Sequence, residues 1–257
     1  MIRSLFGTGH TALLPYMTVG LPSPAASADL FVAMADAGAD AFEIGIPYSD
    51  PLMDGPVIQK ASSEALAAGT DLTAALEVTS QVVERTGLPC LAMTYANVVF
   101  RVGPDEFCRR LADTGAAGLI VPDLPVEEAG PVLEASRQHG LGSVLFVAPT
   151  SSDDRIRAVA DLDPAFIYGV AEMGVTGERE KSSGRAVQLA QRVRSITDVP
   201  LVLGVGISTP EQAAIAGEVA DGVIVGTALV RRVLEAGSPD EAAKELHEAV
   251  TALKAAL

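Results

Sequence analysis

The chain has 257 residues, 49% of them hydrophobic, with 24 glycines and 16 prolines, a composition that suits an α/β domain and excludes a disordered or fibrous chain. Its formal charge of −15 repels nucleic acid and anionic membrane surfaces, so neither is an expected partner and any anionic ligand must be held locally. No apolar run approaches the ~20 residues of a membrane span. With only Cys90 and Cys108 as cysteines, and first residues that lack a basic-then-apolar leader pattern, a reducing cytoplasm without disulfides is expected.

In chain order, a first strand is predicted over 12–18, ending in "PYMTVG" with Tyr16 near its end. The segment "ADAGADAFEIGIP" ends a helix, turns at a glycine and enters a second strand over 39–45. A third strand is predicted over 88–95. "ADTGAAGLIVPDLP" repeats the helix, glycine and strand pattern and gives a fourth over 116–121. Strands five and six follow over 141–147 and 164–170, then "GVTGERE" (174–180), read as a mobile loop. A seventh strand over 199–205 ends in "LGVGIS". "AGEVADGVIVGT" repeats the pattern a third time and gives an eighth over 220–226. The glycines in these repeats are expected to end helices in the left-handed conformation. Thr209-Pro210-Glu211-Gln212 and Ser238-Pro239-Asp240-Glu241 read as capping boxes with proline at the first helical position.

Strands rich in Val, Ile, Leu and Ala that do not alternate with polar residues fit parallel strands buried on both faces. Eight of them alternating with helices over ~250 residues predict a (β/α)8 TIM barrel. The runner-up is a doubly wound open sheet, against which stands the absence of Gly-x-Gly-x-x-Gly after the first strand. No linker or charge block interrupts the pattern, so 1–257 reads as a single barrel domain.

In such a barrel the chemistry sits at the C-terminal strand ends. Tyr16, Tyr48, Tyr95 and Tyr168 all fall there and suggest a pocket that accepts an aromatic ring. Gly206 and Gly226, at the ends of strands seven and eight, let backbone N–H groups approach a ligand, and a helix starting at Thr227 would point its positive end at a phosphate. Backbone amides can hold that anion without any lysine. Gly177 lies near the same corner. The acids at the mouth are Glu43, Asp54 and Asp123, with Asp50 a weaker candidate. Glu43 stands inside an apolar strand, where burial should raise its pKa toward neutrality and suit it to proton transfer. Its alternative is a structural ion pair.

Carbon–carbon cleavage needs an electron sink, normally a Schiff-base lysine or a metal. Lys60, Lys181, Lys244 and Lys254 end no strand, nor do His10, His139 and His247, and the two cysteines lack metal-ligand spacing. No metal and no cofactor are therefore expected. A substrate cleaved here must bring its own sink, and a protonated indole ring would serve.

The segments "PYMTVG", "EIGIPYSDPLMDGPVIQ", "MTYAN", "GLIVPDLPVEEA", "VAPTS", "GVTG", "GISTPEQA" and "ADGVIVGTALV" occur in the order seen in the tryptophan synthase alpha subunit family, which the chain resembles over nearly its whole length. The resemblance implies a (β/α)8 barrel that cleaves indole-3-glycerol phosphate to indole and glyceraldehyde 3-phosphate by a retro-aldol step of tryptophan biosynthesis. It also implies a pyridoxal-phosphate beta subunit as partner, in an α2β2 complex. Residue by residue, it implies that Glu43 is the general acid–base, Asp54 the acid bonded to the indole N–H, and Tyr168 the tyrosine beside the glutamate. Tyr16, Met93 and Ile120 match the indole wall, Gly177, Gly206, Gly226 and Thr227 the phosphate site, and Thr176 the loop threonine that closes over Asp54. The chain departs from the family pattern at Leu21, Val205 and Thr227. Segments 48–56 and 174–185, rich in glycine, serine, proline and charge, are expected to be mobile, and the resemblance implies that Asp54 is placed when Thr176 closes. Two further readings remain: a free-standing lyase that releases indole, and a non-catalytic barrel that activates a beta-type partner. A phosphosugar isomerase is disfavoured because it would ordinarily need His or Lys as electrophile.

Overall fold

A computed structural model describes residues 2–7, 9–170, 179–204 and 206–257, with the backbone alone for 179–183. Thr176, Gly177 and Val205 fall outside the described residues.

Eight parallel strands form a closed barrel in sequence order. They are β1 (Ala12–Thr18), β2 (Phe42–Gly45), β3 (Cys90–Met93), β4 (Gly118–Ile120), β5 (Gly142–Val147), β6 (Phe166–Val170), β7 (Leu201–Gly204) and β8 (Gly222–Val225). Closure comes from β1 pairing with β8, from Ala12 opposite Gly222 to Pro15 opposite Val225. The helices between strands are α1 (Pro24–Asp36), α2 (Pro56–Ala67), α3 (Leu72–Thr86), α4 (Ala96–Val102), α5 (Pro104–Asp113), α6 (Gly130–Gln138), α7 (Asp153–Ala160), α8 (Arg179–Ile196) and α9 (Pro210–Gly217). After β8 come α10 (Thr227–Glu235) and α11 (Pro239–Lys254), and α11 packs back on α1.

The strands are continuous apolar runs because both their faces are covered, one by helices and one by the barrel interior. Every residue of β1, β2, β3, β4, β7 and β8 is buried. All eight predicted strands form, each within its predicted bounds. All but β1 are shorter than predicted, and some of their edge residues have other duties. Asp40 accepts from the Leu13 N–H and the Lys254 ammonium, at 2.7 and 2.6 Å, ahead of β2. Tyr95 and Gly226 are the N-cap residues of α4 and α10.

Side chains start the helices. Ser23, Asp71, Ser152, Thr209 and Ser238 each accept from the N–H three residues on, satisfying one donor that a helix start leaves open. The two predicted capping boxes form differently from expectation: Gln212 accepts from the Ser208 N–H and Glu241 from the Gly237 N–H, each one residue upstream of the cap. The glycine turns hold at Gly38 (φ 101°) and Gly115 (φ 81°). They fail in the third repeat, where Gly217 is the last residue of α9. Its small size matters instead, since a Cβ there would lie 2.8 Å from Leu257 Cδ2. α8 begins at Arg179, inside the segment 174–185 that was expected to be mobile.

Candidate active site

A cleft of about 840 Å³ opens at the C-terminal ends of the strands, lined at one end by Glu43, Asp54, Tyr16, Met93 and Tyr168 and at the other by Gly206, Gly226 and Thr227. The barrel wall thus brings together the strand-end residues that the sequence scatters over more than 200 positions.

Glu43 lies in β2 opposite Tyr16 of β1 and Leu91 of β3. Its side chain is almost fully buried, and Oε2 has no hydrogen-bond partner among the described residues. A carboxylate left in this state pays for lost hydration. Burial first, and the nearby Asp54 carboxylate second, push its pKa up to about 8. Near neutrality Glu43 is therefore mostly protonated, a buried acid whose open oxygen faces a cleft. Among the described residues no ion pair holds it, as the structural alternative would require.

Asp54 lies on the loop between β2 and α2, and Tyr95 fixes it. The Tyr95 hydroxyl donates to Asp54 Oδ2 at 2.8 Å and accepts from the Met53 N–H at 3.1 Å. Burial raises the Asp54 pKa and the Tyr95 bond opposes that rise. Tyr95 in turn stacks on Tyr48, with ring centroids 5.2 Å apart, and Tyr48 accepts from Asn97 at 2.8 Å. Of the four mouth tyrosines, two therefore line the cleft and two brace its aspartate. The Tyr95 hydroxyl, at the end of β3, thus holds Asp54, and the expected closure by Thr176 falls outside the described residues.

Tyr16 and Tyr168 each lie across a glycine of the neighbouring strand. A Cβ on Gly45 would fall 2.2 Å from the Tyr16 hydroxyl, and one on Gly204 would fall 2.3 Å from that of Tyr168. Tyr168 stacks on Phe146 at 5.1 Å. Burial holds both phenols neutral by raising their pKa values, with the Asp54 charge next for Tyr16 and the Glu43 charge next for Tyr168.

At the far end, α10 starts at the cleft and no side chain caps it. Its first N–H groups face the space lined by Gly226, Thr227 and Ala228, where the helix dipole favours an anion. Gly206 has φ 78°, a left-handed backbone that favours glycine. Gly226 is glycine for a different reason: a Cβ would lie 3.2 Å from Tyr16 Cδ1.

Not every predicted residue joins the site. Ile120 is fully buried and is absent from the cleft lining, whereas Ile58 and Ile224 are present. Asp123 accepts from the Ala96 N–H at 2.8 Å and caps α4. Asp50 is exposed, accepting from the Ser49 hydroxyl at 2.6 Å. Among the described residues no three His, Cys, Asp or Glu side chains could gather on a metal ion, and no helix is long and apolar enough to cross a membrane.

The family model described as tryptophan synthase alpha chain matches residues 3–257. The tryptophan synthase alpha chain of Trichormus variabilis is 44% identical over 96% of this chain and 92% of its own. That of a Picosynechococcus species is 42% identical over 99% and 97%.

The chain belongs to the tryptophan synthase alpha chain family.

It is thereby related to the enzyme subunits of tryptophan biosynthesis. Solved structures agree. A chain of Mycobacterium tuberculosis tryptophan synthase superposes with a TM-score of 0.87 at 38% identity, covering 96% of this chain and 92% of that one. A chain from the Pyrococcus furiosus tryptophan synthase a2b2 complex also gives 0.87, at 34% identity, covering 95% and 98%.

Within this alpha-chain fold, sequence reasoning missed three kinds of residue. Tyr95 was noticed for its strand end but not for its bond to Asp54, which depends on the path of the loop. Gly45 and Gly204 gave a weak signal, as glycines inside strands where another group approaches closely. Ser208, Arg231 and Arg232 also line the Thr227 end; the two arginines sit on α10 one turn beyond Thr227, a spacing that the sequence does display.

Proposed function

We propose that this chain cleaves indole-3-glycerol phosphate to indole and glyceraldehyde 3-phosphate by a retro-aldol step. The observation that carries this reading is the protonated, partnerless carboxyl of Glu43 facing a cleft that also holds Asp54. A buried, protonated acid beside a second, partly buried carboxyl suits the two demands of the reaction. Glu43 gives its proton to indole C3, and the positive charge that develops on the ring nitrogen is stabilised by Asp54, which accepts from the indole N–H. The C3 side-chain bond then breaks, its electron pair returning to the ring, while the adjacent hydroxyl becomes a carbonyl and surrenders its proton to a carboxylate. Glu43, ionised by the first transfer, is suited to take that proton and end the cycle as it began. Tyr16 and Met93 supply apolar surface for the indole ring, with Tyr168 beside the acid. Gly206, Gly226 and Thr227 receive the phosphate through backbone N–H groups and the Thr227 hydroxyl. Thr176 and Gly177 would join them on the strength of the family resemblance alone. This assignment treats the chain as one catalytic barrel acting in the cytoplasm.

A beta subunit is the proposed partner, in an α2β2 assembly. Support comes from the Pyrococcus furiosus relative and from Leu52 and Met53, which are 87% and 63% exposed on the loop that carries Asp54. A partner covering these side chains would sit over the catalytic aspartate.

The test is to incubate the purified chain with indole-3-glycerol phosphate and measure indole, alone and with a tryptophan synthase beta subunit. Indole release stimulated roughly 5–150-fold, the usual range of coupling between sites, is the expected result. High activity indifferent to any beta subunit would favour the free-standing lyase. No indole in either arm would leave the non-catalytic barrel.

A further inference from the structure

The phosphate end of the cleft holds a cation that backbone binding alone does not require. Thr227 and Arg231 are four residues apart on α10, so they share a face, and helical side chains lean toward the N-terminus. Arg231 is therefore placed to reach back over Thr227, and Glu235, one turn further on, lines the same cleft without an ion pair to it among the described residues. Both Thr227 and Arg231 line the cleft. The neighbouring Arg232 is engaged by Glu245 at 3.7 Å, whereas Arg231 has no carboxylate partner among the described residues. An unpaired arginine facing the same cleft as the partnerless Glu43 oxygen is notable in a chain of net charge −15.

We propose that Arg231 is a substrate-binding residue that pairs with the dianionic phosphate seated at the start of α10 and offsets the long-range repulsion of the acidic protein. The proposal deepens the assignment of a phosphorylated substrate and rests on it. Guanidinium binds phosphate through charge-assisted hydrogen bonds that backbone amides cannot supply. Because Arg231 is exposed, its contribution is screened by salt. It acts on capture of the phosphate and not on the proton transfers at the other end.

Titration calorimetry of the full chain with glycerol 3-phosphate, at low and at high salt, tests this. Arg231→Gln should weaken binding roughly 5–10-fold at low salt, the scale of a charge-assisted contact that is partly in water. The deficit should shrink at 0.5 M salt, as expected when the Debye length falls to a few ångströms, about 3–5 Å. Arg231→Lys should recover much of the affinity, and Arg232→Gln should matter less. In cleavage assays the loss should appear in KM. Unchanged affinity and salt dependence in Arg231→Gln would overturn the role of Arg231 and leave the proposed reaction standing. Failure of the parent chain to bind glycerol 3-phosphate would overturn both.

Discussion

The two ends of the cleft hold charge in opposite ways. At the Glu43 end, the groups are side-chain carboxyls whose protonation is set by burial and by one tyrosine, so their charge can change during a reaction. At the Thr227 end, the proposed binding groups are helix N–H donors, a left-handed glycine and an arginine. On the proposed reading the difference teaches a division of labour. Protons that move would be handled by desolvated side chains, and the charge that stays fixed by the backbone and an arginine.

The strongest way to break this comparison is to remove the movable protons. Glu43→Gln and Asp54→Asn should each lower indole formation by at least ~100-fold, the scale for losing a general acid–base group, while glycerol 3-phosphate binding persists. A loss of binding equal to the loss of rate would mean the ends are not separate. At the other end, Gly206→Asp adds a side chain and a negative charge where φ is 78°. It should weaken glycerol 3-phosphate binding by more than roughly tenfold, and calorimetry on this variant decides whether the anion lies there.

Tyr95→Phe should have a smaller effect, about tenfold on indole formation, as expected for a lost hydrogen bond to a charged group. Because the Tyr95 bond opposes the burial-driven rise of the Asp54 pKa, its removal should raise that pKa further. The acid limb of the pH–rate profile should then move to higher pH, whereas the alkaline limb, set by Glu43 losing its proton at about 8, should stay. A profile without an alkaline limb near that pH would detach Glu43 from the proton donor role.

Stability carries the same signature. The folded pKa of Glu43 lies above the unfolded value near 4.3, so the native state favours the proton. This contribution is fully present below the unfolded pKa and is lost as pH rises toward about 8. Relative to the parent, Glu43→Gln should therefore gain thermal stability between pH 5 and pH 8, by roughly a few degrees in Tm. An equal Tm difference at both pH values would remove the linkage. Thr227→Ala should give the smallest effect, roughly 2–5-fold in affinity, since one hydroxyl among several donors is lost.

How much of this was readable beforehand follows the range of the interactions. Strand count and order were legible because each strand announces itself by a local apolar run. The burial of Glu43 was legible because a lone acid inside such a run is anomalous, and the meeting of Gly206, Gly226 and Thr227 at one cleft because a strand end and a helix start adjoin in sequence. Features set by non-local geometry were not. Tyr95 reaches Asp54 across 41 positions, and nothing near either residue encodes that meeting. Ile120 sits at the end of β4, as expected, but burial removes it from the cleft. Asp123 looked like a mouth acid and proves to be the cap of a helix that starts 27 residues earlier. Gly217 carries the repeat pattern of Gly38 and Gly115 yet packs on the C-terminal Leu257, a contact that only the folded chain creates.

Tyr16 touches the places where Gly45, in β2, and Gly226, ahead of α10, lack side chains. In the language of sequence drift, the three positions form one unit of inheritance. A methyl at 45 would overlap the ring outright, and one at 226 would press on it from the other side. A lineage could enlarge Gly45 only after shrinking residue 16, and could enlarge Gly226 only if the ring gave way by a few tenths of an ångström. A single ring thus ties the permitted sequences of β2 to those at the start of α10, although the two are far apart in the chain.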